Sequence, residues 1–201
     1  MGIAERKARQ KEGLRQEILD AARDLVLKEG YESVSMRKIA EKIEYSPTTI
    51  YLYFKDKNEL VESLCEETFA LLLATLERIG AQHTDPIEQM RACCRAYVNF
   101  GLQHPDYYRV TFLISHEVAV PYSMVMESMA AKAFMYLRTG VEACIAKGKF
   151  RKVDVEITSQ ALWAALHGIT ALLIVKKGFP WADKNQVIDA VIDGAIRGLM
   201  A

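Results

Sequence analysis

Apolar residues recur along this chain at spacings of three and four, and no period-2 strand pattern recurs, so the sequence predicts an all-α fold. Leu14, Ile18, Ala21 and Leu25 share one face of a first helix that should end near Gly30, a residue suited to a left-handed cap. Two short helices follow. The first opens at Ser35, whose side-chain oxygen can cap the amide of Arg37 or Lys38; it buries Ile39, Ala40 and Ile43 and ends at Glu44-Tyr45. Ser46 caps the second, which can run only to about Phe54, and Pro47 takes its first position, where a missing amide hydrogen costs nothing. Asp56-Lys57-Asn58-Glu59 reads as a capping box opening a long helix to about Ile79. Further helices are expected near 86–103, 106–116, 121–147, 154–177 and 184–200. Pro47, Pro86, Pro105, Pro121 and Pro180 all fit helix edges, and no internal repeat or low-complexity segment interrupts the pattern.

The second short helix carries the chemistry. A helix of that length is marginal alone, so its exposed Thr48, Thr49, Tyr51 and Tyr53 are better explained by something they touch than by helix stability. Two short helices around a tight turn suit a helix-turn-helix unit, which lays the start of its second helix in the major groove of DNA. Threonine can offer a hydroxyl to either base edge and a methyl to thymine, which places Thr48 and Thr49 as base readers. Tyr51, Tyr53, Lys55 and Lys57 then suit phosphate oxygens, and the amide-rich start of the long helix would favour a phosphate beside Lys57. Taken singly, each tyrosine could be a packing aromatic and each lysine a solvated charge; in this order and spacing they point to DNA.

The stretches Ile18-Leu-Asp-Ala-Ala-Arg-Asp-Leu, Gly30-Tyr31, Ser35-Met-Arg-Lys-Ile-Ala and Ser46-Pro-Thr-Thr-Ile-Tyr-Leu-Tyr-Phe-Lys-Asp-Lys-Asn-Glu-Leu60 resemble the tetracycline-repressor-like (TetR) transcriptional regulators, over about Arg15 to Thr68. The resemblance implies a three-helix DNA-binding domain, here residues 1–56, and a larger helical domain, residues 57–201, that dimerises and holds a small-molecule pocket. It also implies repression relieved by that ligand. Arg37, Thr48, Thr49, Tyr51, Tyr53 and Lys57 match family DNA-contact positions, and Ser35, Ser46 and Lys55 complete the expected DNA-binding set. Glu44 departs from the family, where glycine is frequent. If that position needs a left-handed backbone, glutamate costs on the order of 1 kcal/mol.

Farther along, Ala161-Leu-Trp-Ala-Ala-Leu-His-Gly resembles a TetR subclass with a Trp, His, Gly pattern in the regulatory domain. Trp163 and His167 share one helix face, and His167 reads either as a ligand contact or as a core histidine hydrogen-bonded across the packing. Met90, Tyr97, Phe100, Tyr108, Phe112, Met124 and Met126, with Trp163 and His167, are candidates to line a pocket, although such a stripe is equally at home in a core. Arg91, Arg95, His116 and Glu117 are the few polar groups nearby, so a mainly apolar effector is expected. The helix through Leu162, Leu173 and Val175 is apolar nearly all round and needs cover on several sides. The last helix has Val187, Ile188, Val191, Ile192, Ala195, Ile196 and Leu199 on a broad apolar face, with Gly194 and Gly198 at small-residue spacing. In the family the last two helices of each subunit form a four-helix bundle, which implies a homodimer on a palindromic operator.

Composition narrows the class. With 201 residues, 51% of them hydrophobic, the chain can bury a sizeable core. The formal net charge is zero, yet residues 1–57 carry 12 Lys/Arg against 10 Asp/Glu and the remainder 14 against 16, the sign expected of a DNA-binding head. Arg6, Lys7, Arg9, Lys11 and Arg15 outnumber Glu5 and Glu12 in an N-terminal arm that either tracks phosphates, enters a minor groove, or is a solvated tail. Apolar stretches are broken before the span a membrane helix needs, the N-terminus lacks an apolar signal region, and Arg6 departs from the myristoylation pattern, so a cytoplasmic protein with no membrane contact is expected. Cys65, Cys93, Cys94 and Cys144 lack zinc-site spacing and read as reduced core residues. No metal, cofactor or catalytic constellation is expected: the four histidines show no ligand spacing and no Ser/His/Asp order or phosphate loop occurs. The sequence thus points to a ligand-responsive, sequence-specific DNA-binding repressor. An activator or effector-independent regulator of the same fold, or a helical protein-binding adaptor, remains as an alternative.

Overall fold

A computed structural model describes residues 2–114 and 127–201. Those residues form nine α-helices and no strand, with a single antiparallel bridge between Phe150 and Met200. They fall into two compact units, the described residues of Met1–Thr68 and Asp106–Ala119, and those of Phe69–Pro105 and Val120–Ala201.

The first unit is built on α1 (Ile3–Glu29), α2 (Met36–Lys42), α3 (Pro47–Tyr51) and the opening turns of α4 (Lys57–Gly80). Ile18, Leu19, Ala22, Val26, Ile39, Ala40, Ile50, Phe54, Leu60 and Val61 converge in one core, so the three-to-four spacing of the sequence becomes a three-helix head closed by the base of α4. Val110 completes that core from the segment after α6 (Pro105–Tyr108), whose backbone passes directly into a π-helical turn at Arg109–Leu113. The helix expected over 106–116 is therefore a short α-turn that widens, and its later residues lie outside those described, as does Pro121. Two further expectations are corrected. The N-terminal arm is not a tail but part of α1, which begins at Ile3 with the Gly2 amide donating to Glu5 Oε2 at 2.9 Å. Gly30 ends α1 at φ 81°, ψ 158°, an extended positive-φ conformation close to glycine-only territory rather than the left-handed helical cap.

In the second unit, α5 (Pro86–Gln103), α7 (Met129–Ala146) and α9 (Lys184–Arg197) pack around α8 (Val155–Val175). Each has its cap: Asp85, Ser128, Asp154 and Asp183 accept backbone amides in the first turns of α5, α7, α8 and α9 respectively. Arg91 pairs with Asp193, and Arg95 reaches Asp189 at 3.2 Å and Asn185 O at 3.3 Å, so these cations brace α5 against α9. By length and composition α8, at 21 residues, would suffice to cross a bilayer, contrary to the sequence expectation. Its Leu162, Leu166, Ile169, Leu173 and Ile174 are buried among the neighbouring helices, the setting of a helical core.

Candidate nucleic-acid interface

The turn between α2 and α3 sets the aim of the second helix. Ser35 Oγ caps α2 by accepting the Lys38 amide at 3.3 Å, and Met36, Ile39 and Ala40 are buried beneath it. At the far end the Tyr45 amide donates to Ala40 O at 2.9 Å and the Glu44 amide to Glu41 O at 3.3 Å, the paired bonds of a Schellman cap. Glu44 sits at the left-handed position with φ 60° and is the one non-glycine residue with positive φ among those described. The sequence departure noted at Glu44 therefore falls where glycine would be preferred.

Ser46 then opens α3: its Oγ accepts the Thr49 amide at 3.2 Å and lies 2.9 Å from Thr49 Oγ1. Pro47 occupies the first position and Ile50, fully buried, anchors the helix to the core. What remains faces outward. Thr48 is exposed, Thr49 half-buried, and Tyr51 is 55% exposed. The helix stops at Tyr51, short of Phe54, and Leu52 takes the C-cap with 74% of its surface free. Phe54, at 2% exposure, pins the chain back to the core, while Tyr53 is half-buried against it.

The flanking charges are placed as follows. Arg37 is exposed and meets Glu41 on its own helix at 3.0 Å. Lys55 is exposed, and its amide donates to Glu59 Oε2 at 2.6 Å, while Asp56 Oδ1 accepts the Glu59 amide at 2.9 Å. The start of α4 thus already holds a carboxylate. Lys57 donates to Tyr31 O at 3.2 Å and its ammonium stands 4.0 Å from the centre of the Tyr31 ring, leaving donors over for a phosphate. Burial raises the Tyr31 hydroxyl above its ordinary value, so it stays protonated and bonds Asn58. Sequence reasoning missed two exposed side chains that border α3, Tyr45 at 45% and Leu52; neither breaks a pattern, and their exposure follows from where the helices stop.

The candidate pocket residues divide between the units. Tyr108 and Phe112 stack at 4.6 Å in the first. In the second, Met90, Tyr97 and Phe100 are buried on α5, and Tyr97 Oη accepts the Trp163 Nε1–H at 3.2 Å, joining α5 to α8. His167 lies 6.0 Å from Trp163, ring to ring, and burial lowers its pKa below the ordinary 6.5, which keeps the imidazole neutral at pH 7. Met124 and Met126 lie outside the described residues, as do His116 and Glu117.

This head and body have known counterparts. The family described as "Bacterial regulatory proteins, tetR family" matches residues 18–64, and the "Tetracyclin repressor-like, C-terminal domain" matches residues 90–197; the second match lends no support to the Trp, His, Gly subclass. An uncharacterised HTH-type transcriptional regulator of Haemophilus influenzae is 40% identical over 95 residues, 47% of this chain, which spans about half (51%) of that relative's length. The HTH-type transcriptional repressor NicS of Pseudomonas putida is 27% identical over 96% of this chain and 95% of its own. Among solved structures, the fatty acid degradation regulator FadR of Bacillus halodurans superposes with a TM-score of 0.78 at 20% identity, covering 92% of this chain and 95% of that one. A TetR family transcription regulator of Marinobacter aquaeolei superposes at 0.79 and 18% identity, covering 96% and 98%. With both its head and its body matched, the chain belongs to the TetR family of transcriptional regulators.

Proposed function

We propose that this protein is a cytoplasmic, homodimeric repressor that binds a palindromic operator and is released from it by a small, mainly apolar effector. The observation that carries the DNA reading is the outward display of Thr48, Tyr51 and half-buried Thr49 on a five-residue helix whose buried side chain is Ile50. Such a helix is held by its caps and one anchor, which frees its remaining face for base edges and phosphates. Arg37, Tyr53, Lys55 and Lys57 flank that face, with Ser35 and Ser46 fixing the two helix starts.

A second copy is assigned to the last two helices. Ile157, Leu172 and Val175 stand exposed on α8, and Gly168 on α8 and Gly194 on α9 have open space beyond their missing Cβ atoms. Covering that apolar surface with its two-fold mate gives a four-helix bundle and places two α3 helices on half-sites about one DNA turn, or a small multiple, apart. The repressor role accords with the name of NicS. An apolar effector accords with the name of FadR, a regulator of fatty acid degradation, and with the buried Met90, Tyr97 and Phe100. Effector binding lowers operator affinity by a coupling of about 1 to 3 kcal/mol, roughly tenfold or more in occupancy.

Fluorescence anisotropy of the protein against DNA upstream of its own gene, beside scrambled DNA and at two salt concentrations, tests this reading. Selective, salt-sensitive binding that Tyr51→Ala abolishes while the dimer persists is the expected result. Unchanged affinity in Tyr51→Ala removes α3 from the interface; binding indifferent to sequence and salt points to a protein-binding adaptor. Acyl and aromatic compounds added to the complex then test release.

A further inference from the structure

Helix α1 is longer than its packing explains. From Glu5 to Gly13 every side chain is exposed, and inward contact begins with Leu14 and Ile18. A helical segment that buries nothing gains little from tertiary structure, and isolated polar helices of this length are marginal in water. On the helical period, Lys7, Gln10, Lys11, Leu14 and Glu17 fall on one side, whereas Glu5, Arg9 and Glu12 fall on the opposite side. That first side lines a groove of about 580 Å³ whose other wall is Tyr45 and Tyr53, the residues that bracket α3. Lys7 and Lys11 have no ion-pair partner among the described residues, and Glu17 is the one carboxylate along the groove. Gly13 also lines it. A Cβ there would meet nothing of the protein, so this helix-interior glycine answers to no internal crowding and leaves the backbone open to close approach.

We infer that this groove holds the sugar-phosphate backbone of the bound DNA, with Lys7 and Lys11 as phosphate ligands opposite the hydroxyls of Tyr45 and Tyr53. The inference rests on the operator-binding reading above and extends it from α3 to the arm. Cations on one wall and phenolic donors on the other suit a polyanion, and Tyr45 and Tyr53 stand just before and just after α3 in the chain, which brings the groove beside the helix that the same duplex engages. Such contacts carry affinity and salt dependence, not sequence preference.

The test compares wild type, Lys7→Gln/Lys11→Gln and Lys7→Arg/Lys11→Arg on a duplex selected by the wild-type protein from a random pool, with Thr48→Val run alongside. Anisotropy titrations over a series of salt concentrations should show the glutamine variant binding at least tenfold more weakly at low salt. Its log–log salt slope should be shallower by about 3 to 4 for a dimer, roughly 0.9 for each of four lysines lost. Base preference in competition with mismatched duplexes should not change, and the arginine variant should bind as wild type does. Both lysines are exposed, so thermal midpoints should coincide. An unaltered affinity and slope in the glutamine variant, while Thr48→Val still changes base preference, overturns the arm contact and leaves the operator reading intact. Failure of the wild type to enrich any duplex from the pool overturns both.

Discussion

The guanidinium of Arg23 lies 3.8 Å from the centre of the Tyr107 ring and joins α1 to the start of α6 within the first unit. The same side chain, buried to 7% exposure, bonds Asp20 at 2.6 Å and Glu67 at 3.4 Å, and Arg15 meets the other oxygen of Glu67 at 3.4 Å. A planar cation suits this place because its face can stack while its edge bonds two carboxylates. Arg23→Ala should cost about 2 kcal/mol, less than a fully buried pair because Asp20 and Glu67 keep partial access to water. Tyr107→Leu should cost about 0.5 to 1 kcal/mol, the worth of a partly desolvated cation–π contact. Urea unfolding at fixed protein concentration measures both; a loss no larger than for an exposed i,i+4 pair such as Lys28–Asp24 would show the cluster to be solvated.

At Glu44 the fold carries a strain that one substitution should relieve. With φ at 60° in a Schellman cap, Glu44→Gly removes the clash of Cβ with the following carbonyl, worth about 1 kcal/mol after the extra freedom of glycine in the unfolded chain is counted. The thermal midpoint should rise by about 2 to 4 °C. Glu44→Ala, which keeps Cβ, should leave it unmoved. Equal midpoints for glycine and alanine would mean that the turn relaxes without the glycine.

How much of this could be read beforehand depended on whether a residue acts locally. Ser35, Ser46 and Pro86 mark helix starts by their own local chemistry, and α2, α3 and α5 begin where those residues predicted. The face of α3 was legible for the same reason, since alternation of Thr48, Thr49 and Tyr51 around Ile50 is a matter of helical period. Contacts distant in sequence were not legible. Lys57 turns to Tyr31, 26 residues away, and no local pattern foretells it. The π-helical turn at Arg109–Leu113 likewise has no compositional sign, and the polar start of α1 lacks the apolar period by which helices are recognised. Arg91 and Arg95, counted among the few polar groups near the candidate pocket, are held by Asp193 and Asp189 of a helix about a hundred residues on.

Gly80, the last residue of α4, is required by a neighbour rather than by its backbone angles. A Cβ there would run into Tyr136 Oη and stand 3.0 Å from Gln89 Nε2, and Tyr136 is fixed because its hydroxyl donates to Leu76 O at 3.3 Å. Gly80→Ala should therefore destabilise by about 1 to 3 kcal/mol despite alanine's better helix propensity. Tyr136→Phe opens the space at the loss of one hydrogen bond, about 1 kcal/mol. The double variant should then be more stable than the sum of the singles predicts, and strict additivity in a double-mutant cycle would count against the steric account.

Burial should make the thiols both unreactive and sensitive to alkali. It is the leading cause that pushes Cys65 and Cys144 up to about 11 and Cys94 up to about 12, and it raises Cys93 as well. Thiolate is the nucleophile, so at pH 8 iodoacetamide should label Cys65, Cys94 and Cys144 far more slowly in the native protein than in urea. The effect on stability follows in sign. An unfolded thiol ionises near 9, while the folded one holds its proton to about 11 or 12, so the folded state binds more protons in that window and stability falls as pH rises through it. Below about pH 9 these groups contribute their full stabilisation. Tyrosine and lysine titrate over the same range, so the discriminating measurement is a difference: Cys94→Ala should lower stability at pH 7 through its small cavity, yet show a shallower decline between pH 9 and 12 than wild type. Parallel declines for the two proteins, or native labelling at the unfolded rate, would place the Cys94 thiol in water rather than in the core.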